Sequence, residues 1–172
     1  MLLSESARMT TAHEAKYRVQ YPNSKPRAVK VIALDEGSAK LVDEISKQGW
    51  HGAAFFTSLS FDAGAAPGAE GKTLKAWLND LAGRTLDLVS EVAASDCVVV
   101  VATAGKDVQS TAMIAEVCGM HHKTLIALVV PDENAPDESI DVSLRALRPY
   151  AKMLVIAHGR DYIEAMLTAL RA

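Results

Sequence analysis

The chain is short of most features that announce a chemistry. It has no G-x-x-x-x-G-K-[ST], so a Walker-type phosphate loop is excluded, and no G-x-S-x-G elbow to present a nucleophilic serine. Its two cysteines, Cys97 and Cys118, form no C-x-x-C pair, which removes the usual redox and zinc-ribbon readings and predicts reduced, packed thiols. Aromatic residues make up only 5% of the chain, so Trp50 and Trp77 are read as packing residues rather than stacking platforms. No apolar run approaches the ~20 residues of a spanning helix, and the start "MLLSESARMT" lacks the apolar stretch of a signal peptide. No lysine- or arginine-rich run occurs, and the net charge is −3, so neither a nucleic acid nor an anionic membrane is an expected partner. Together these absences predict a cytoplasmic protein. No repeat with a period of 20–50 residues is present either.

What is present is an ordinary globular composition, 49% apolar and 23% charged over 172 residues, enough for one domain with a real core. Residues 1–27 are polar and contain Pro22 and Pro26, which favour extended backbone; they read as a tail, with a short amphipathic helix within 4–20 as the alternative. A single α/β domain is expected over 28–172. Strands are predicted at 28–34, 53–59, 97–102, 124–130 and 152–157. Helices are predicted near 38–49, 72–94, 108–120 and 138–150, and from 161 to the C-terminus. "CVVVVA" at 97–102 is apolar without alternation, the pattern of a strand buried on both faces. "DYIE" at 161–164 has the spacing of a helix cap with its reciprocal glutamate.

Five strands alternating with helices predict a three-layer, doubly wound, mostly parallel sheet of Rossmann-like type. Such sheets bind ligands beyond the carboxyl ends of their strands, where the strand order reverses. That singles out residues 34–39, 59–71, 102–111, 131–137 and 157–161.

The order and spacing of these pieces resemble the nucleotide-binding domain of the FtsZ/tubulin family. "KVIALDEGSAKLV" is similar to that family's first strand, glycine loop and helix, and "WHGAAFF" to its second strand. "GAAPGAEG" resembles a loop that wraps the phosphates. "SDCVVVVATAGKDVQSTAMIAEVCGMHHKTLIALVV" resembles the stretch through the signature loop, and "SLRALRPYAKMLVIAHGRDYI" the closing helix, strand and turn. The resemblance spans roughly residues 28–165, and a GTP-like or other phosphorylated ligand would lie against loops 35–39, 64–71 and 105–111. The ligand-binding candidates are Asp35, Gly37, Ser38, Gly64, Gly68, Gly105, Lys106, Ser110 and Thr111, with His158 past the last strand.

The departures weigh against the family's activity. Where the family has GGGTGTG, whose glycine amides cradle phosphate, this chain has "GKDVQST", and Asp107 brings a negative charge. Asp35 and Glu36 stand where the first loop has glycines, and "AHGRD" lacks the asparagine that contacts the base. The family's second domain, which completes hydrolysis across a polymer interface, is not matched after residue 165, so GTPase activity and filaments are not expected.

Each candidate also has a plainer role. Lys106, Ser110 and Thr111 could bind an anion at a helix start, or Asp107 could simply cap that helix. Asp35, Glu36 and Ser38 could hold a cation or a ribose hydroxyl, or serve as the N-terminal cap of the first helix. His121 and His122 are adjacent and lack metal spacing, with Cys118 three residues before His121 and no second pair. His158, with Arg160 and Asp161, could act as a base or stand in a turn. The leading expectation is a non-catalytic binding or accessory protein on a degenerate nucleotide-binding scaffold. One alternative is a protein that binds GTP, another nucleotide or another phosphorylated small molecule. The other is a small enzyme using His158 or the Asp35/Glu36 carboxylates. No cofactor is required by the sequence, and a protein partner or a homodimer is compatible with it.

Overall fold

A computed structural model describes residues 25–61, 76–132, 136 and 138–172. The expected N-terminal tail up to residue 24 and the loop glycines Gly64 and Gly68 lie outside the described residues. The described chain forms one seven-stranded sheet in the order β4-β3-β2-β1-β5-β6-β7. Its strands are β1 (Val29–Ala33), β2 (Ala53–Phe61), β3 (Ala76–Asp80), β4 (Thr85–Asp87), β5 (Cys97–Thr103), β6 (Thr124–Val130) and β7 (Met153–Ile156). The five strands β2, β1, β5, β6 and β7 run parallel, while β3 and β4 add an antiparallel edge beside β2. The mostly parallel α/β architecture expected from the alternating pattern is therefore present, with two more strands than the five expected.

The central strand explains the layering. β5 is valine-rich and buried from Cys97 to Ala102, and successive residues feed opposite cores. Val98, Val100 and Ala102 pack with Leu88 and Val92 of α2 (Leu88–Ala93), Ile114 and Val117 of α3 (Ser110–Met120), and Leu147 of α4 (Glu138–Leu147). Cys97, Val99 and Val101 pack with Val42 and Ile45 of α1 (Glu36–Ser46) and with Ile163 and Leu167 of α5 (Arg160–Leu170). Each fully buried valine, leucine or isoleucine contributes roughly 1.5–3 kcal/mol of transfer free energy, so the two half-cores hold the three layers together. α1 buries Ser38, Val42 and Ile45, a spacing that keeps one stripe against the sheet.

One expected element is overturned. The stretch 72–94 reads as a long helix, but Ala76–Asp80 and Thr85–Asp87 are strands joined by a tight hairpin, and among its described residues only Leu88–Ala93 form a helix. The turn chemistry decides it. Asp80 Oδ1 accepts the amides of Ala82 and Arg84 at 3.0 and 2.7 Å, its Oδ2 accepts Arg84 Nε at 2.7 Å, and Gly83 takes φ +75°. A glycine in the left-handed region within a short loop, here the four residues Leu81–Arg84, is a hairpin signal, and it outweighs the apolar spacing of Leu78 and Leu81. The cap expected in "DYIE" is also displaced. α5 starts from Gly159 with no side-chain cap, and Glu164 lies inside the helix, 2.9 Å from Arg160 Nε.

Candidate functional site

The strand order reverses at β1. The chain leaves β1 through α1 toward β2 on one face, while β5 lies on β1's other side and leaves through α3 on the opposite face. The crevice at the carboxyl ends of β1 and β5 is therefore the topological switch point, where doubly wound sheets place their ligands.

Asp35 occupies this position. It is the extended N-cap of α1, and its Oδ1 accepts the Ser38 amide at 3.0 Å, while the Asp35 amide donates back to Ser38 Oγ at 3.1 Å. The same carboxylate crosses to the neighbouring strand. The Thr103 amide donates to Oδ2 and the Thr103 hydroxyl to Oδ1, both at 2.7 Å. Partial burial pushes the Asp35 carboxyl up, but the hydrogen bonds from Thr103 and Ser38 outweigh it and hold the group below the ordinary carboxylate value. Asp35 is thus a fixed anion at the positive end of α1, held by the amides of Ser38 and Thr103 and by both their hydroxyls, the Ser38 hydroxyl lying 3.0 Å from Oδ2.

The two glycines that survive in the loops have packing reasons. A Cβ on Gly37 would sit 2.6 Å from Thr103 Oγ1 and 3.1 Å from Asp35 Oδ1, so the residue is glycine to admit the Asp35–Thr103 link. Gly105 has φ +78°, donates its amide to Ser143 Oγ at 2.9 Å, and would meet Ser139 Cβ at 3.1 Å if it carried a side chain. The loop after β5 is thereby pinned to α4.

The remaining expected residues are placed less tightly. Lys106 is exposed and its amide closes a turn on the Thr103 carbonyl at 3.1 Å. Asp107 Oδ1 accepts the Gln109 amide at 2.9 Å, one residue ahead of α3, so it shapes the turn rather than capping the helix proper. Ser110 is half-buried. Thr111 is fully buried in the first turn of α3, and its hydroxyl has no hydrogen-bond partner among the described residues. Glu36 faces solvent and pairs with Lys40 at 3.3 Å. His158 is exposed, just beyond the end of β7. Asp35, Gly37 and Ser38 therefore converge with the end of β5 through Thr103.

Two participants escape sequence reading. Thr103 holds the other half of the Asp35 link, and Ser143 holds the Gly105 amide from 38 residues away. Thr103 ends an apolar strand and Ser143 is a buried serine in an amphipathic helix, so neither carries a local signal. Among the described residues, no three His, Cys, Asp or Glu side chains are grouped to hold a metal ion. A groove of about 410 Å³ lies at the far end of the sheet, against Trp50, Phe55 and the β3–β4 hairpin. Another of about 530 Å³ lies between α4 and β7, and neither is lined by Asp35, Gly37, Ser38 or Gly105. No protein-family model matches the chain, and no curated protein is significantly similar to it.

Proposed function

We propose that this chain is a non-catalytic binding or accessory protein built on a degenerate FtsZ/tubulin-like nucleotide-binding scaffold. One observation carries the reading: the Asp35 carboxylate takes the Ser38 amide, the Thr103 amide and the Thr103 hydroxyl at the switch point. Those donors are spent on the chain's own anion. A nucleotide phosphate arriving there would meet a carboxylate held in its charged form, and like charges in a half-buried crevice repel. The glycines that would let a phosphate approach instead accommodate Thr103 and Ser139.

A second reading, a phosphorylated small molecule held nearer α3, is favoured by the buried Thr111 hydroxyl with no partner among the described residues. A buried hydroxyl without a partner is uncommon and points to a missing acceptor or donor. The enzyme reading has less support, because the Glu36 side chain is 88% exposed in a solvated pair and the Asp35 carboxylate is fully engaged.

Thermal unfolding with GTP, GDP, ATP, NAD and FMN, with and without magnesium, separates these readings. A ligand at about 100 times its Kd raises stability by about 2.7 kcal/mol, which the midpoint resolves. The proposal expects no shift from any of them. A shift with GTP or GDP that is lost in Thr111→Val would replace it with the phosphorylated-ligand reading.

A further inference from the structure

We propose that the outer edge of β7, with the groove between it and α4, is a docking site for an extended acidic peptide segment of a partner protein, added to the sheet as another strand. The inference stands apart from the switch point and holds whether or not that crevice takes a ligand.

β7 is the last strand in the sheet order, so among the described residues its outer side has no neighbouring strand. Such an edge exposes backbone donors and acceptors, and natural edges are blunted by prolines, charges or shortness. The opposite edge follows this rule, since β4 has three residues and passes at once into α2. β7 is nearly as short, at four residues, but has no other such device among the described residues. Its sequence is Met-Leu-Val-Ile, without a proline or a charge, and Met153 is 39% exposed. An apolar edge strand without a proline or a charge is the surface that strand-adding partners use.

The groove beside it supplies the specificity. Its volume is about 530 Å³, and its apolar wall includes Leu144 from α4 with Leu154 and Ile156 from β7. Its only charged lining residues are Arg148 and Lys152. Both are exposed, and neither has an ion-pair partner among the described residues. Arg145, also exposed, lies one turn earlier on α4. On a chain of net charge −3, a groove that carries both apolar and basic side chains complements a strand whose groove-facing residues are both apolar and acidic. Every second side chain of an added strand would face this groove, and that set can place apolar residues against Leu144 and Leu154 and carboxylates against Arg148 and Lys152.

The test selects binders for the full chain from a displayed library of random peptides about ten residues long, the length of one strand. The selected peptides are then synthesised and titrated. The expected consensus carries β-branched or aromatic residues and Asp or Glu together at alternate positions, the set that faces the groove. The double variant Arg148→Glu/Lys152→Glu should weaken those peptides by about tenfold or more. Lysine-substituted versions should regain affinity for that variant. N-methylation of alternate peptide amides, which removes strand donors without changing charge, should abolish binding. Because both substituted side chains are exposed, unchanged thermal unfolding of the variant certifies its fold. A selected pool with no acidic bias, or binding indifferent to the double reversal or to N-methylation, overturns the proposal. So does a dimer of the free chain, seen by sedimentation, that the double reversal dissociates, since it would put a second copy on this edge.

Discussion

The Asp35 carboxylate receives both the amide and the hydroxyl of Thr103, each at 2.7 Å, and so ties the end of β1 to the end of β5 across 68 residues of sequence. The link joins the two strands that flank the switch point, at the crevice by their carboxyl ends. Hydrogen bonds to a charged group contribute roughly 1.5–3 kcal/mol, and loss of a helix N-cap costs about 0.5–2 kcal/mol. Asp35→Ala removes both roles. It should lower stability by about 2–4 kcal/mol in urea unfolding, whereas Thr103→Val, which removes only the hydroxyl bond, should cost about 1–2 kcal/mol.

The pH dependence of the same link has a definite sign. The Asp35 carboxyl is held below its ordinary value of 3.8 in the folded protein, so its contribution is present above that value and is lost as pH falls through the lower folded value. Asp35→Asn has no such titration. The stability difference between wild type and Asp35→Asn should be constant from neutrality down to about pH 5 and shrink below about pH 4. Urea midpoints measured across that range check it, and a difference growing toward low pH would contradict the assignment.

The fold and the site were legible to different depths. Val98–Val101 announced a doubly buried strand, and Asp35 with Ser38 announced a helix cap, because both signals are local in sequence. Thr103 did not announce its role, since its contact with Asp35 exists only once β5 lies beside β1. The β3–β4 hairpin was misread for a different reason. Leu78 and Leu81 have spacing compatible with a helix, and Gly83 then looks like a weak point in it rather than the left-handed turn that Asp80 closes. Glycine-rich loops likewise suggest phosphate, but Gly37 and Gly105 answer to Thr103 and Ser139.

The glycines give a coupled prediction. Gly37→Ala places a methyl 2.6 Å from Thr103 Oγ1, so it must push that hydroxyl away from Asp35. Overpacking of this kind costs about 1–3 kcal/mol. In a Thr103→Ala background the obstructing oxygen is gone, and Gly37→Ala should cost at least about 0.5 kcal/mol less, a double-mutant coupling measurable by urea unfolding.

Gly105 and Gly83 separate backbone strain from crowding. Both take positive φ, +78° and +75°, but only Gly105 has a neighbour, Ser139 Cβ, at 3.1 Å from an added Cβ. Left-handed backbone alone costs a non-glycine residue roughly 1–2 kcal/mol. Gly83→Ala should show about that loss. Gly105→Ala should exceed it, and Ser139→Gly should bring the two to similar values.

The last prediction concerns a charge inside the sheet. Lys30 lies on β1 between the buried Val29 and Val31, and its Nζ is 2.6 Å from Glu91 Oε2 of α2 and 5.9 Å from the Phe56 ring centroid. Their side chains are only 14% and 24% exposed. Removing one member of such a pair leaves the other poorly solvated, a loss of about 3–5 kcal/mol when fully buried and less at this exposure. Lys30→Met and Glu91→Leu should each destabilise, by about 2–3 kcal/mol. The double variant, which replaces both charges with apolar groups in contact with Phe56, should recover most of that loss. A double variant as unstable as the sum of the singles would mean that the two side chains stabilise the sheet independently rather than as a pair.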